Sequence, residues 1–155
     1  MSRSALAITL VAALATPVAA QEISDAWVRG TVKGQDATGA FMTIKAGTAM
    51  ALVGAASPVA RVVEVHEMSM DGNVMRMRAI PKIDLTAGRI LELKPGGYHI
   101  MMIGLKGELA TGTKVPVTLR FREASGAEKT VEVQAEVRGL TQGAPKPMSG
   151  HEHKH

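Results

Sequence analysis

After residue 20 the chain consists of short apolar runs divided by turn-forming clusters, and no stretch sustains the period of an amphipathic helix. That pattern confines it to an all-β fold. Ala26-Trp27-Val28 and residues 39–44, 52–56, 61–68, 74–79, 90–93, 98–103, 115–121 and 130–137 read as strands. Ser57-Pro58, Asp71-Gly72-Asn73, Lys94-Pro95-Gly96-Gly97 and Ala124-Ser125-Gly126-Ala127 read as the turns between them. The Asp71-Gly72-Asn73 turn makes a hairpin of the fourth and fifth strands. About eight or nine strands at this spacing predict a single-domain antiparallel β-sandwich.

The first twenty residues stand apart. Arg3 is followed by an apolar run from Ala5 to Leu14 broken only by Thr9, and Val18-Ala19-Ala20 is a small-residue cleavage site. This is the composition of a secretory signal peptide cut between Ala20 and Gln21, with an apolar run too short to span a bilayer. No membrane insertion is expected. With no cysteine after the cleavage site, a lipid-anchored form is not expected either. Residues 21–140 form the predicted β-sandwich domain. Residues 141–155, rich in Gly, Pro and His and without a core pattern, are expected to be a flexible tail.

Charge and cysteine content remove several functions. The chain carries 18 Lys+Arg against 14 Asp+Glu, a formal net charge of +4, and Arg3 is the only charged residue of the leader. The basic residues are scattered and aromatics make up 3% of the chain, so neither the basic stripe nor the stacking platform of a nucleic-acid binder is present. With no cysteine, disulfides and thiolate ligands play no part. A blue-copper electron-transfer site, which needs a thiolate, is excluded. No G-x-S-x-G or H-E-x-x-H motif is present: His66-Glu67 starts like the latter, but position 70 is Met. The chain is expected not to be an enzyme.

Against this background His66, Met77, His99 and Met101 stand out as H-x10-M-x21-H-x-M, in a chain with ten methionines. Imidazole and thioether form a neutral, soft donor set suited to Cu(I). Alternation along a strand puts His99 and Met101 on one face and Ile100 and Met102 on the other, and likewise separates Met75 and Met77 from Arg76 and Arg78. The hairpin turn is expected to set His66 across from Met77, with Met68, Met70 and Met75 as further sulfur nearby. Easy release of copper calls for an exposed site, expected at strand ends at one end of the sandwich. Imidazoles titrate near pH 6.5 and thioethers do not titrate, so Cu(I) affinity is expected to fall with pH through that range. The competing reading is a metal-free exported binding module in which the two histidines are satisfied polar groups and the methionines fill core gaps.

Leu93-Lys94-Pro95-Gly96-Gly97-Tyr98-His99-Ile100-Met101, with Asp25-Ala26-Trp27-Val28-Arg29, Gly39-Ala40-Phe41-Met42 and Val74-Met75-Arg76-Met77-Arg78, resembles the PCuAC family of periplasmic copper chaperones across residues 23–140. The resemblance implies a cupredoxin-like sandwich of Greek-key type that holds Cu(I) through His66, Met77, His99 and Met101. It further implies a soluble periplasmic protein, expected as a monomer, that delivers copper to the CuA-bearing subunit of cytochrome c oxidase or to another copper-carrying assembly protein. Some members have a methionine directly after the first histidine, where this chain has Glu67. In the tail, Met148, His151, His153 and His155 form a His-rich tract of the kind that binds Cu(II), Zn(II) or Ni(II), and a second site for Cu(II) is expected there. An incidental polar tail is the equally weighted alternative.

Overall fold

The computed structural model describes residues 21–139. The expected leader and tail, with Met148, His151, His153 and His155, lie outside the described residues. Ten strands and no helix make up the described chain: β1 (Glu22–Arg29), β2 (Ala37–Lys45), β3 (Met50–Ala56), β4 (Ala60–Asp71), β5 (Val74–Ala79), β6 (Ile83–Leu85), β7 (Ile90–Leu93), β8 (His99–Leu105), β9 (Lys114–Glu123) and β10 (Glu128–Arg138). They pair in the order β5-β4-β8-β2-β1-β10-β9-β3-β6, with β7 also on β2. One half, β5-β4-β8-β2, packs over the other, β10-β9-β3-β6, around a single core. Val65, Ile100, Met102 and Ala40 meet Leu52, Val117, Leu119 and Phe121 in that core.

The nine expected strands are all present, and β6 is an addition. All pairings are antiparallel except β1 with β10, which run parallel. Within β1 the ladder to β2 slips between Ser24 and Trp27, and Asp25 adopts φ 48°. An aspartate tolerates this left-handed conformation better than most residues. Its carboxylate accepts a 2.6 Å hydrogen bond from Arg138 Nη2. The bulge carries Trp27 onto Phe41, with ring centroids 4.4 Å apart.

Strand alternation divides the β5-β4-β8-β2 half into two chemistries. Val65, Ile100, Met102, Ala40 and Met42 face the core and are buried. Glu64, His66, Met68, His99, Met101, Gly39 and Phe41 share the opposite face, as the pairs Glu64↔Met101, His66↔His99 and Gly39↔Met101 require. Gly39 is needed there, because a Cβ would lie 2.8 Å from Phe41 Cζ.

Candidate metal centre

The candidate residues gather on this outer face, beside the Pro95-Gly96 turn that precedes β8. His66, in β4, lies directly opposite His99, the first residue of β8. Their rings are 5.7 Å apart, and both residues are buried, 8% and 5% exposed. Met101 follows His99 by two residues on the same face. Met77 lies across from Met68, while His66 faces Ala79, so the hairpin register is offset by two residues from the expected His66–Met77 pairing. The turn is only two residues long, Gly72-Asn73, because Asp71 is still paired with Val74. Gly72 supplies the positive φ of 63° that a tight hairpin of the II′ kind requires at its first position. The site nevertheless assembles, since the Met77 thioether reaches 3.2 Å from His99 Nε2. A cavity of about 270 Å³ is lined by Met68, Met77, His99 and Met101, with Phe41 and Arg29 on its wall.

Hydrogen bonding fixes the free nitrogen on each ring. His99 Nδ1 donates to the Gly97 carbonyl at 3.1 Å. A carbonyl only accepts, so in the neutral ring Nε2 bears a lone pair, and that lone pair faces the lone pairs of Met77 Sδ. His66 Nε2 donates to the Glu64 carboxylate at 2.9 Å, leaving Nδ1 as its unprotonated nitrogen. That Nδ1 is buried and has no hydrogen-bond partner. A buried acceptor with nothing to accept is uncommon and costs stability. Metal-bound histidines share this arrangement: one ring nitrogen donates to a carboxylate or carbonyl and the other binds the ion. Among the described residues no three His, Asp, Glu or Cys side chains gather as a metal-binding group. The donors that do converge are imidazole and thioether, a set that fits a soft monovalent ion.

Burial holds the His99 pKa below its ordinary 6.5; the hydrogen bond to the Gly97 carbonyl opposes that shift, and the charges of His66 and Arg29 add to it to a smaller extent. Above pH 6.5 neither the folded nor the unfolded chain protonates this ring. Below it the unfolded chain takes up the proton first, so stability falls as pH drops from 6.5 through the lower folded-state value. The urea midpoint of the metal-free protein is therefore expected to decline across that window, with a shallower decline in His99→Gln. Equal slopes for the two proteins would contradict the assignment.

Two partners were not anticipated from the sequence, Glu64 and Gly97. Each stands two residues before its histidine. For Glu64 the signal was available, because on a strand residue i−2 shares the face of residue i. Met68 lines the cavity more directly than an accessory sulfur was expected to.

Comparison with known proteins places this geometry in context. A curated relative, the putative lipoprotein Lxx21020 of Leifsonia xyli subsp. xyli (strain CTCB07), is 38% identical over 117 residues, covering 73% of this chain and 69% of its own. Among solved structures, CuI-DR1885 from Deinococcus radiodurans aligns with TM-score 0.57 and 31% identity, covering 81% of each chain. Apo-DR1885 aligns with TM-score 0.60 and 27% identity over 92% of this chain and 96% of that one. The copper-bound PCuAC domain from PmoF2 aligns with TM-score 0.60 and 22% identity over 80% of this chain and 97% of that domain. The fold is accordingly the cupredoxin-like sandwich of PCuAC domains, as the sequence resemblance implied. The family model described as putative lipoprotein LpqE-like matches residues 22–137, nearly the whole described chain, and the chain belongs to that LpqE-like family.

Proposed function

We propose that this protein is an exported copper carrier that binds Cu(I) through His66 Nδ1, His99 Nε2, Met77 Sδ and Met101 Sδ, and that it is not an enzyme. The observation that carries the reading is the pair of buried histidines. Each has one nitrogen tied to an acceptor on its own strand side and the other left unprotonated, and the His99 lone pair is set against a thioether. The 31% identical DR1885, described in its Cu(I) form, supports the choice of metal and oxidation state. Export to the periplasm is supported by the leader-like residues 1–20 and by the lipoprotein descriptions of the relatives. Among the described residues no helix is long and apolar enough to cross a membrane.

All four donors are neutral, so the site has to accommodate only the single positive charge of the ion. Met77, on the exposed edge strand, is 49% exposed, while both histidines are buried. An acceptor's ligands therefore meet the Met77 side first, and the ion leaves by exchange of thioethers before imidazoles. The proposed acceptor is the CuA-bearing subunit of cytochrome c oxidase or another copper-carrying assembly protein, met by a monomeric carrier. A second, harder site for Cu(II) is proposed on Met148, His151, His153 and His155.

Anaerobic titration against a chromophoric Cu(I) chelator tests the central claim. The wild type is expected to hold one tight equivalent that Met77→Ala/Met101→Ala loses. In the same series, deletion of residues 148–155 is expected to remove Cu(II) binding and spare that Cu(I) equivalent. A wild type that fails to compete with the chelator would return the four residues to a packing role. Cu(II) binding that survives the deletion would remove the tail site.

A further inference from the structure

The β4–β5 hairpin has two faces of different chemistry. On one, Glu67 pairs with Arg78 at 3.1 Å and Asp71 with Arg76 at 2.8 Å, so its four charges satisfy one another. The other carries Met68 opposite Met77 and, one step nearer the turn, Met70 opposite Met75. Directly opposed side chains start about 5 Å apart and successive same-face residues about 7 Å apart, within reach of flexible thioethers. Packing does not account for the outer pair. Met70, near the end of β4, is 61% exposed, and Met75 is 51% exposed on β5, a strand with no buried residue. An edge strand normally exposes charge rather than methionine.

We infer that Met68, Met70 and Met75 form a second soft-metal site, made of thioethers alone, from which Cu(I) passes to Met77 and His99. Met68 belongs both to this ladder and to the lining of the cavity beside His99, so the two sites are contiguous. Thioether donors with no imidazole bind more weakly and do not titrate, so this station suits capture and release while the histidine site suits retention. Nothing is oxidised or reduced: the ion keeps its charge and only its sulfur and nitrogen ligands are exchanged. Binding at the ladder stands by itself. The direction of transfer rests on the Cu(I)-carrier reading above.

The test uses Ag(I), a redox-inert soft ion, with full-length protein labelled with ¹³C at the methionine methyls. Met77 and Met101 methyl signals are expected to move with the first equivalent, and Met70 and Met75 with the second. In His66→Ala/His99→Ala the Met70 and Met75 shifts should persist. Met70 and Met75 signals that stay fixed through two equivalents would overturn the ladder. Fixed Met77 and Met101 signals beside moving Met70 and Met75 would instead overturn the carrier site and leave the ladder standing. For transfer, Met70→Leu/Met75→Leu keeps apolar bulk at two exposed positions and is expected to fold normally. It should hold the first Cu(I) equivalent as the wild type does, but load it at least fivefold more slowly from a Cu(I)–bicinchoninate complex. An unchanged loading rate would overturn the relay.

Discussion

Replacing His99 with alanine is expected to weaken Cu(I) binding by at least about a hundredfold, roughly 2.7 kcal/mol. The size follows from what the ring does. Its Nε2 lone pair lies 3.2 Å from Met77 Sδ, and its Nδ1 is anchored to the Gly97 carbonyl, so the donor is already oriented in the metal-free protein. Alanine removes a proposed ligand and also leaves Met77 without the group it converges on. Glu64→Gln provides the scale. Altering the group that orients a metal-binding histidine commonly costs ten- to a hundredfold, so the His99 loss should equal or exceed the Glu64 loss. Competition with a chromophoric chelator at pH 7.5 measures both. A His99 loss smaller than the Glu64 loss would mean that His99 is not a ligand and that Glu64 acts otherwise than by orienting His66. Lower pH should compress the difference between wild type and variant, because a protonated His99 no longer binds the ion and the variant lacks that donor already.

The sequence carried the chemistry of this site further than its geometry. Alternation alone put His99 and Met101 on one face and Ile100 and Met102 on the other, and the structure has that division, with Ile100 and Met102 fully buried. Strands β5 and β7 were legible to the residue, since each is an uninterrupted run between strong turn signals. β1 was read only from Ala26 to Val28, because the Asp25 bulge breaks its period. β6 was missed: Ile83-Asp84-Leu85 alternates, but three residues are too short a run to read as a strand, and it is the ladder to β3 that makes them one. The parallel β1–β10 pairing joins the two ends of the domain, and no local signal encodes it. The His66–Met77 register was misjudged because Asp71 belongs to its strand rather than to the turn, a choice set by the positive φ of Gly72. Short-range pattern decides which face a side chain takes. Which residue stands across from it depends on the turn.

Ile100→Ala should damage the protein through its fold while leaving every candidate ligand in place. Ile100 is fully buried between His99 and Met101, and it pairs with Val65 on β4 and Ala40 on β2, both in the core. Truncation removes the transfer free energy of its outer carbons and leaves a cavity under the strand that bears two of the donors. Such changes cost about 2–5 kcal/mol, against about 0.5–1.5 for Ile→Val. Total stabilities of about 5–15 kcal/mol make this a large fraction, and the melting temperature should drop by several degrees per kcal/mol. The metal then separates fold from site. An ion that binds only the folded chain stabilises it by mass action, so excess Cu(I) should raise the melting temperature of Ile100→Ala substantially and that of His66→Ala/His99→Ala hardly at all. Calorimetry of both variants with and without Cu(I), under anaerobic conditions, measures the contrast. An Ile100→Ala protein as stable as Ile100→Val would show that β8 is held by its ladders rather than by its core face. Equal rescue of both variants by Cu(I) would show that the ion binds elsewhere than between the two histidines.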